Sequence, residues 1–190
     1  MRNIKKKAAT RTIRKTDNKR DRMKRINFVK YTAFSLEILL CYIIQSNHVL
    51  SPAVFGGRPV MMLPIAMTIA VFEGEIPSIV FAVICGILAD AGYSGPIGYY
   101  AILLAILCYT VSILMENYIR TNLLTVIMIG ALSIPIMIIG QFMLFYVLMG
   151  YGNEWHYFLT HYVSRIVYTF AYVPVFYGIN RFIALKTKAE

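Results

Sequence analysis

After residue 30 the sequence almost ceases to carry charge. Residues 1–30 hold 13 Lys or Arg against Asp17 and Asp21, a net of +11, whereas residues 31–190 hold six basic and seven acidic side chains. The chain is a basic tail joined to an apolar body, and 58% of its 190 residues are apolar. Long apolar runs broken by short polar turns are the pattern of a polytopic membrane protein, not of a soluble domain. The expected fold class is all-α: a polytopic integral membrane protein with six transmembrane helices.

The expected organisation is a basic cytoplasmic tail over 1–27, disordered or on the membrane surface, a six-helix domain over 28–185, and a short cytoplasmic tail over 186–190. The spans fall at about 28–50, 59–72, 76–89, 96–115, 123–149 and 157–184. Six spans leave both basic termini on the cytoplasmic side, as the positive-inside rule asks; five would export the second. The first apolar run starts near Tyr31 behind a long charged segment and lacks a small-x-small cleavage site, so it reads as a retained span. Pro135 should kink the fifth span, and Trp155 suits an interfacial loop. On an anionic leaflet each tail Lys or Arg is worth about 1 kcal/mol, which makes anionic lipids an expected partner. Residues 1–27 lack an aromatic side chain for base stacking, so no nucleic-acid partner is expected.

The second and third spans are each 14 residues, short of the ~20 that cross a bilayer. One helix over 59–89 is the rival. It would bury Glu73 and Glu75 at about 2.5–3.5 kcal/mol each and place Pro77 inside the hydrogen-bond ladder. Two short helices with a cytoplasmic Glu73-Gly74-Glu75 turn avoid both costs. That turn reads either as solvated or as a contact for a basic partner.

Around Phe81–Ala105 small residues recur at helical spacing. Ser78, Ala82, Cys85 and Ala89 form one stripe, and Gly98, Ala101, Ala105, Cys108 and Ser112 form a second. Small stripes let helix backbones approach in lipid. The expectation is a tight helical hairpin with Asp90 at its tip. Asp90, Gly86, Gly98, Ala101 and Ala105 are the candidate partner-interface residues, with ordinary bundle packing as the alternative. Asp90 could equally pair with Arg58 or Arg165, or be solvated.

Glu37 and Arg165 are the two charges placed well inside expected spans. A charge at mid-depth is costly and should find a partner in the bundle, which makes Glu37 and Arg165 a candidate intramembrane ion pair. His161, Arg165, Tyr168 and Tyr172 share a helix face, so an outward polar pocket in which Arg165 grips an anion is the functional alternative. Cys41, Cys85 and Cys108 lie in spans without a C-x-x-C pattern and should be free thiols. The sequence has no H-E-x-x-H, no G-x-S-x-G and no phosphate-loop motif. His156 and His161 are five apart and suit one metal poorly. No catalysis, metal or cofactor is expected.

Pro64, Phe72, Gly74, the Gly86-Ile87-Leu88-Ala89-Asp90 segment, then Gly95, Gly98 and Ala101 together resemble the bacterial rod shape-determining membrane protein family MreD, over about residues 30–185. The long basic tail departs from the short N-terminus usual there. The resemblance implies a non-catalytic scaffold subunit of the cell-elongation, peptidoglycan-synthesis machinery in the bacterial cell membrane. Its implied partners are MreC and, through MreC, MreB, RodA and a class B penicillin-binding transpeptidase; a homodimer is a further option. That family is similar in fold to the substrate-binding S components of energy-coupling-factor vitamin transporters. The transporter alternative wants an A-x-x-x-A motif in the first span, where Ala33-Phe34-Ser35-Leu36-Glu37 ends in glutamate.

Overall fold

The computed structural model describes residues 25–47, 57–91, 98–117, 121–144 and 161–189. Seven helices carry them: α1 (Arg25–Ser46), α2 (Met62–Phe72), α3 (Glu75–Ala91), α4 (Tyr99–Asn117), α5 (Leu123–Phe142), α6 (Val163–Ala171) and α7 (Val173–Ala189). Among the described residues there is no strand run, and four stretches are long and apolar enough to cross a membrane: α1, α4, α5 and the α6–α7 pair over Val163–Thr187. The first 24 residues of the tail, the loop around Trp155 and the Gly92–Ile97 turn lie outside the described residues.

The shortest helix is the centre. In α2 every residue from Met62 to Val71 is buried, and α3, α4, α5, α6 and α7 all pack against it. A helix apolar on every side belongs inside a bundle. Pro64 fits in its first turn, where an N–H is not needed. Its one polar residue, Thr68, donates to the Pro64 carbonyl at 2.8 Å and accepts from Asn180 Nδ2 of α7 at 2.9 Å, so no bare hydroxyl faces the core.

α2 stops where expected. Glu73 is extended (φ −111°, ψ 154°) and α3 begins two residues later, which gives two short helices in place of one long one. The turn's first residue is withdrawn from solvent, while Gly74 is exposed and Glu75 half-buried. The Glu73 side chain is covered, and Lys30 Nζ of α1 lies 2.5 Å from its Oε1, an ion pair by distance without hydrogen-bond geometry. The Glu73 carbonyl accepts from Ser112 Oγ of α4 at 3.0 Å. Lys30, near the start of the expected first span, thus ties α1 to the turn between α2 and α3, and the same turn is tied to α4 through Ser112.

α1 runs antiparallel to α2 and is held at both ends. Opposite Lys30, Gln45 Oε1 accepts the Met61 N–H at 2.9 Å at the start of α2. Between them the Tyr31 and Phe34 rings both meet Phe81 of α3 edge-on, with centroids 5.8 Å apart. The expected final span is interrupted: α6 ends and α7 begins around Tyr172. Pro174 accounts for this, because it lacks the N–H that a continuous helix would need and its ring crowds the carbonyl four residues back. α5, by contrast, continues through Pro135.

The outside of the bundle is aliphatic. Ile76, Val80, Ile84 and Ile87 form an exposed stripe on α3; Ile102, Ile106 and Tyr109 do so on α4, and Leu124, Met128, Leu132 and Ile136 on α5. Among the described residues nine polar side chains go inward: Glu37, Thr68, Ser78, Asp90, Ser112, Gln141, Arg165, Thr169 and Asn180 are all buried, while the exposed hydroxyls of Thr32, Ser35 and Thr110 bond carbonyls of their own helices.

Candidate functional site

The first turn of α4 gathers polar groups from three other helices. Gly98 has φ +107°, a conformation only glycine adopts cheaply, and its carbonyl accepts the Ile102 N–H. It therefore stands at the N-cap of α4 with no side chain to cap the first N–H groups. Asp90, on α3, fills that role from across the hairpin. Its Oδ2 accepts from Gly98 N at 2.9 Å and Ala101 N at 3.4 Å, and its Oδ1 accepts from Tyr100 N at 3.0 Å. A carboxylate at a helix N-terminus also faces the positive end of the macrodipole. Asp90 is 4% exposed, so its carboxylate is turned to this chain's own backbone and not outward.

Tyr100 continues the network. Its buried hydroxyl donates to Gln141 Oε1 of α5 and accepts from Arg165 Nη2 of α6 at 3.1 Å. Next to it, the Tyr99 hydroxyl donates to the Met137 carbonyl at 3.2 Å. One residue of α4 therefore links Asp90, through its backbone, to Arg165, through its phenol. Thr169, one turn beyond Arg165, accepts the Val60 N–H at 3.1 Å. Gly57 passes so close to α6 that a Cβ there would lie 2.8 Å from the Arg165 backbone nitrogen.

The expected Glu37–Arg165 pair is not formed. Arg165 turns to Tyr100, at the end of the bundle where α4 begins. Glu37 lies midway along α1, with Phe34, Ile38 and Cys41 buried on its own face. Glu37 is 8% exposed, and neither carboxyl oxygen has a hydrogen-bond partner among the described residues. The two side chains belong to different levels of the bundle, although the sequence puts both well inside expected spans; α1 begins at Arg25, three residues before the expected first span, and the last span is broken at Tyr172. A buried acid without partners lowers stability. Glu37→Leu should raise the unfolding free energy by about 1–3 kcal/mol, read as a higher melting temperature in detergent. A fall would mean that the carboxyl has a partner in the intact molecule.

The remaining interface candidates lie in or beside the α3–α4 contact. Gly86 is buried, and a Cβ there would sit 2.3 Å from Ala101 Cα and 2.6 Å from Ala101 N. The whole first stripe, Ser78, Ala82, Cys85 and Ala89, is buried. Of the second, Cys108 and Ser112 are buried, while Gly98, Ala101 and Ala105 are half-buried. The three cysteines are free and buried. Among the described residues no three His, Cys, Asp or Glu side chains gather into a metal-ligand set.

Sequence reading missed Tyr100 and Gln141. A tyrosine two residues after a helix-opening glycine, and a glutamine in an otherwise apolar span, were the available signals. Compared with protein-family models, with curated proteins and with solved structures, the chain matches none.

Proposed function

We propose that the chain is a six-helix multi-pass membrane protein that works as a non-catalytic scaffold with MreC in the bacterial cell-elongation complex, the second part resting on the resemblance of residues 86–90 and their neighbours to the MreD family. The observation that carries the membrane part is the inverted surface: apolar stripes face outward on α1, α3, α4 and α5, while buried polar side chains bond one another inside. In water such a surface would aggregate; in hydrocarbon it is the stable arrangement. In this reading α2 and α3, of 11 and 17 residues, cross a locally thin region or tilt against their neighbours. The scaffold part is supported by the way the α4 network occupies its own donors and acceptors, with Asp90 and Tyr100 engaged inside the chain. A partner helix would then meet the outer aliphatic faces of α3 and α4, beside Ala105.

Depletion in the native cell separates this from the transporter alternative. Rounding of the cells is the expected result. Vitamin auxotrophy with normal shape would replace the scaffold by an uptake subunit. On the partner side, Ile102→Ala plus Ile106→Ala should lower MreC recovered with the protein several-fold while its thermal stability stays unchanged; full recovery would move the interface elsewhere.

A further inference from the structure

An apolar groove of about 310 Å³ opens between the first turns of α1 and the last turns of α7, lined by Val29, Ala33, Phe182, Ile183, Lys186 and Thr187. We infer that it is a binding site for one anionic phospholipid, with an acyl chain along Val29, Ala33 and Ile183 and the headgroup phosphate on Lys186. The inference rests on the membrane reading above and adds a site and a ligand class to it.

Charge and size select this occupant. Lys186 Nζ lies 5.9 Å from the Phe182 ring centroid, so the cation stands over the aromatic wall of the groove. Among the described residues its charge enters no ion pair, and Lys30, on the neighbouring α1, is engaged with Glu73. Glu75 and Glu116 lie at the same end of the bundle but on α3 and α4, away from the lining. Thr187 cannot serve the ligand as a free donor, since its hydroxyl is given to the Ile183 carbonyl at 2.8 Å and the Ala184 carbonyl at 3.2 Å. The groove therefore offers one cation above an apolar wall, which complements a phosphate joined to a hydrocarbon chain.

Other occupants fit less well. The chain's own basic tail would bring positive charge to Lys186. A second copy docked by two-fold symmetry would bring a second Lys186 into the same interface, with no acid among the lining residues to offset the two like charges. A lysine near a helix end also reaches the headgroup level naturally, while its stem covers apolar surface.

The test uses the full-length protein in nanodiscs holding phosphatidylglycerol or phosphatidylcholine with a diazirine on the acyl chain, and maps the labelled peptides after illumination. Phosphatidylglycerol should label α1 around Val29–Ala33 and α7 around Ile183 in excess over phosphatidylcholine. Lys186→Gln should reduce that excess about fivefold, the worth of one cation near an anionic surface. Ala33→Phe, which fills the groove and leaves every charge in place, should abolish the α1 and α7 labelling. Equal labelling by both lipids, or undiminished labelling in Ala33→Phe, overturns the site while leaving the membrane reading intact. A protein that stays soluble without detergent would instead overturn the membrane reading itself.

Discussion

Gly86→Ala should cost the protein about 3 kcal/mol or more, a drop of roughly 6–12 °C in melting temperature for a chain of this size. The added methyl would meet Ala101 Cα at 2.3 Å, Ala101 N at 2.6 Å and the Tyr100 carbonyl carbon at 2.8 Å. All three atoms are backbone, so no rotamer change can make room; α3 and α4 must move apart. That movement would also stretch the Asp90 contacts to Gly98 and Tyr100, which now stand at 2.9 and 3.0 Å. Two other glycines calibrate the result. At Gly130 the nearest atoms to a Cβ would be side-chain methyls of Met67 and Val173, from 3.3 Å, and these can yield, so Gly130→Ala should cost about 1 kcal/mol or less. At Gly178, inside α7, nothing lies within 4 Å, and Gly178→Ala should gain about 0.5–1 kcal/mol from helix propensity. Thermal unfolding of the three variants in one detergent checks the order. If Gly86→Ala melts with the parent protein, the α3–α4 backbones are not in the contact described.

That contact is where sequence reasoning reached furthest. Ser78, Ala82, Cys85 and Ala89 at spacings of three and four announced a face made for close approach, and the structure buries all four. The break at Glu73-Gly74 was legible too, because two acids and a proline make a mid-bundle helix expensive. The central place of α2 was not. In a soluble protein an all-apolar helix signals burial, but here the exposed stripes of α3, α4 and α5 are as apolar as the core. Hydropathy then cannot tell inside from outside. What distinguishes α2 is finer: Ala66 and Ala70 four apart and Thr68 as its one hydrogen-bonding side chain, features of a helix that others press against on every side. The Glu37–Arg165 pairing failed for a related reason. Depth counted along the sequence assumes unbroken helices with known ends, and the rotation of each helix about its axis is absent from the count. Arg165 found a phenol on α4 that no charge-matching rule would nominate.

The same reasoning makes Asp90 the second residue on which the hairpin depends, for a chemical cause and not a steric one. Asp90→Ala should cost about 3–5 kcal/mol. The loss is large because the N–H groups of Gly98, Tyr100 and Ala101 have this carboxylate as their acceptor, and a first helical turn has no carbonyls of its own to offer them. Removing the carboxylate leaves buried donors bare in a region with little water to replace it. Asp90→Asn separates charge from geometry. The amide keeps one acceptor oxygen, so it should recover part of the loss but not the attraction between a full negative charge and the helix N-terminus. Release of the α4 turn would also free the Tyr100 phenol from Gln141 and Arg165, so the damage should reach α5 and α6. Amide hydrogen exchange reads this directly: in Asp90→Ala the N–H groups of Tyr100 and Ala101 should exchange at least ~100-fold faster, as expected for a loss near 3 kcal/mol. Unchanged protection there would show that the first turn of α4 is held by its packing alone, and that the acid at the tip of the hairpin is available for a partner after all.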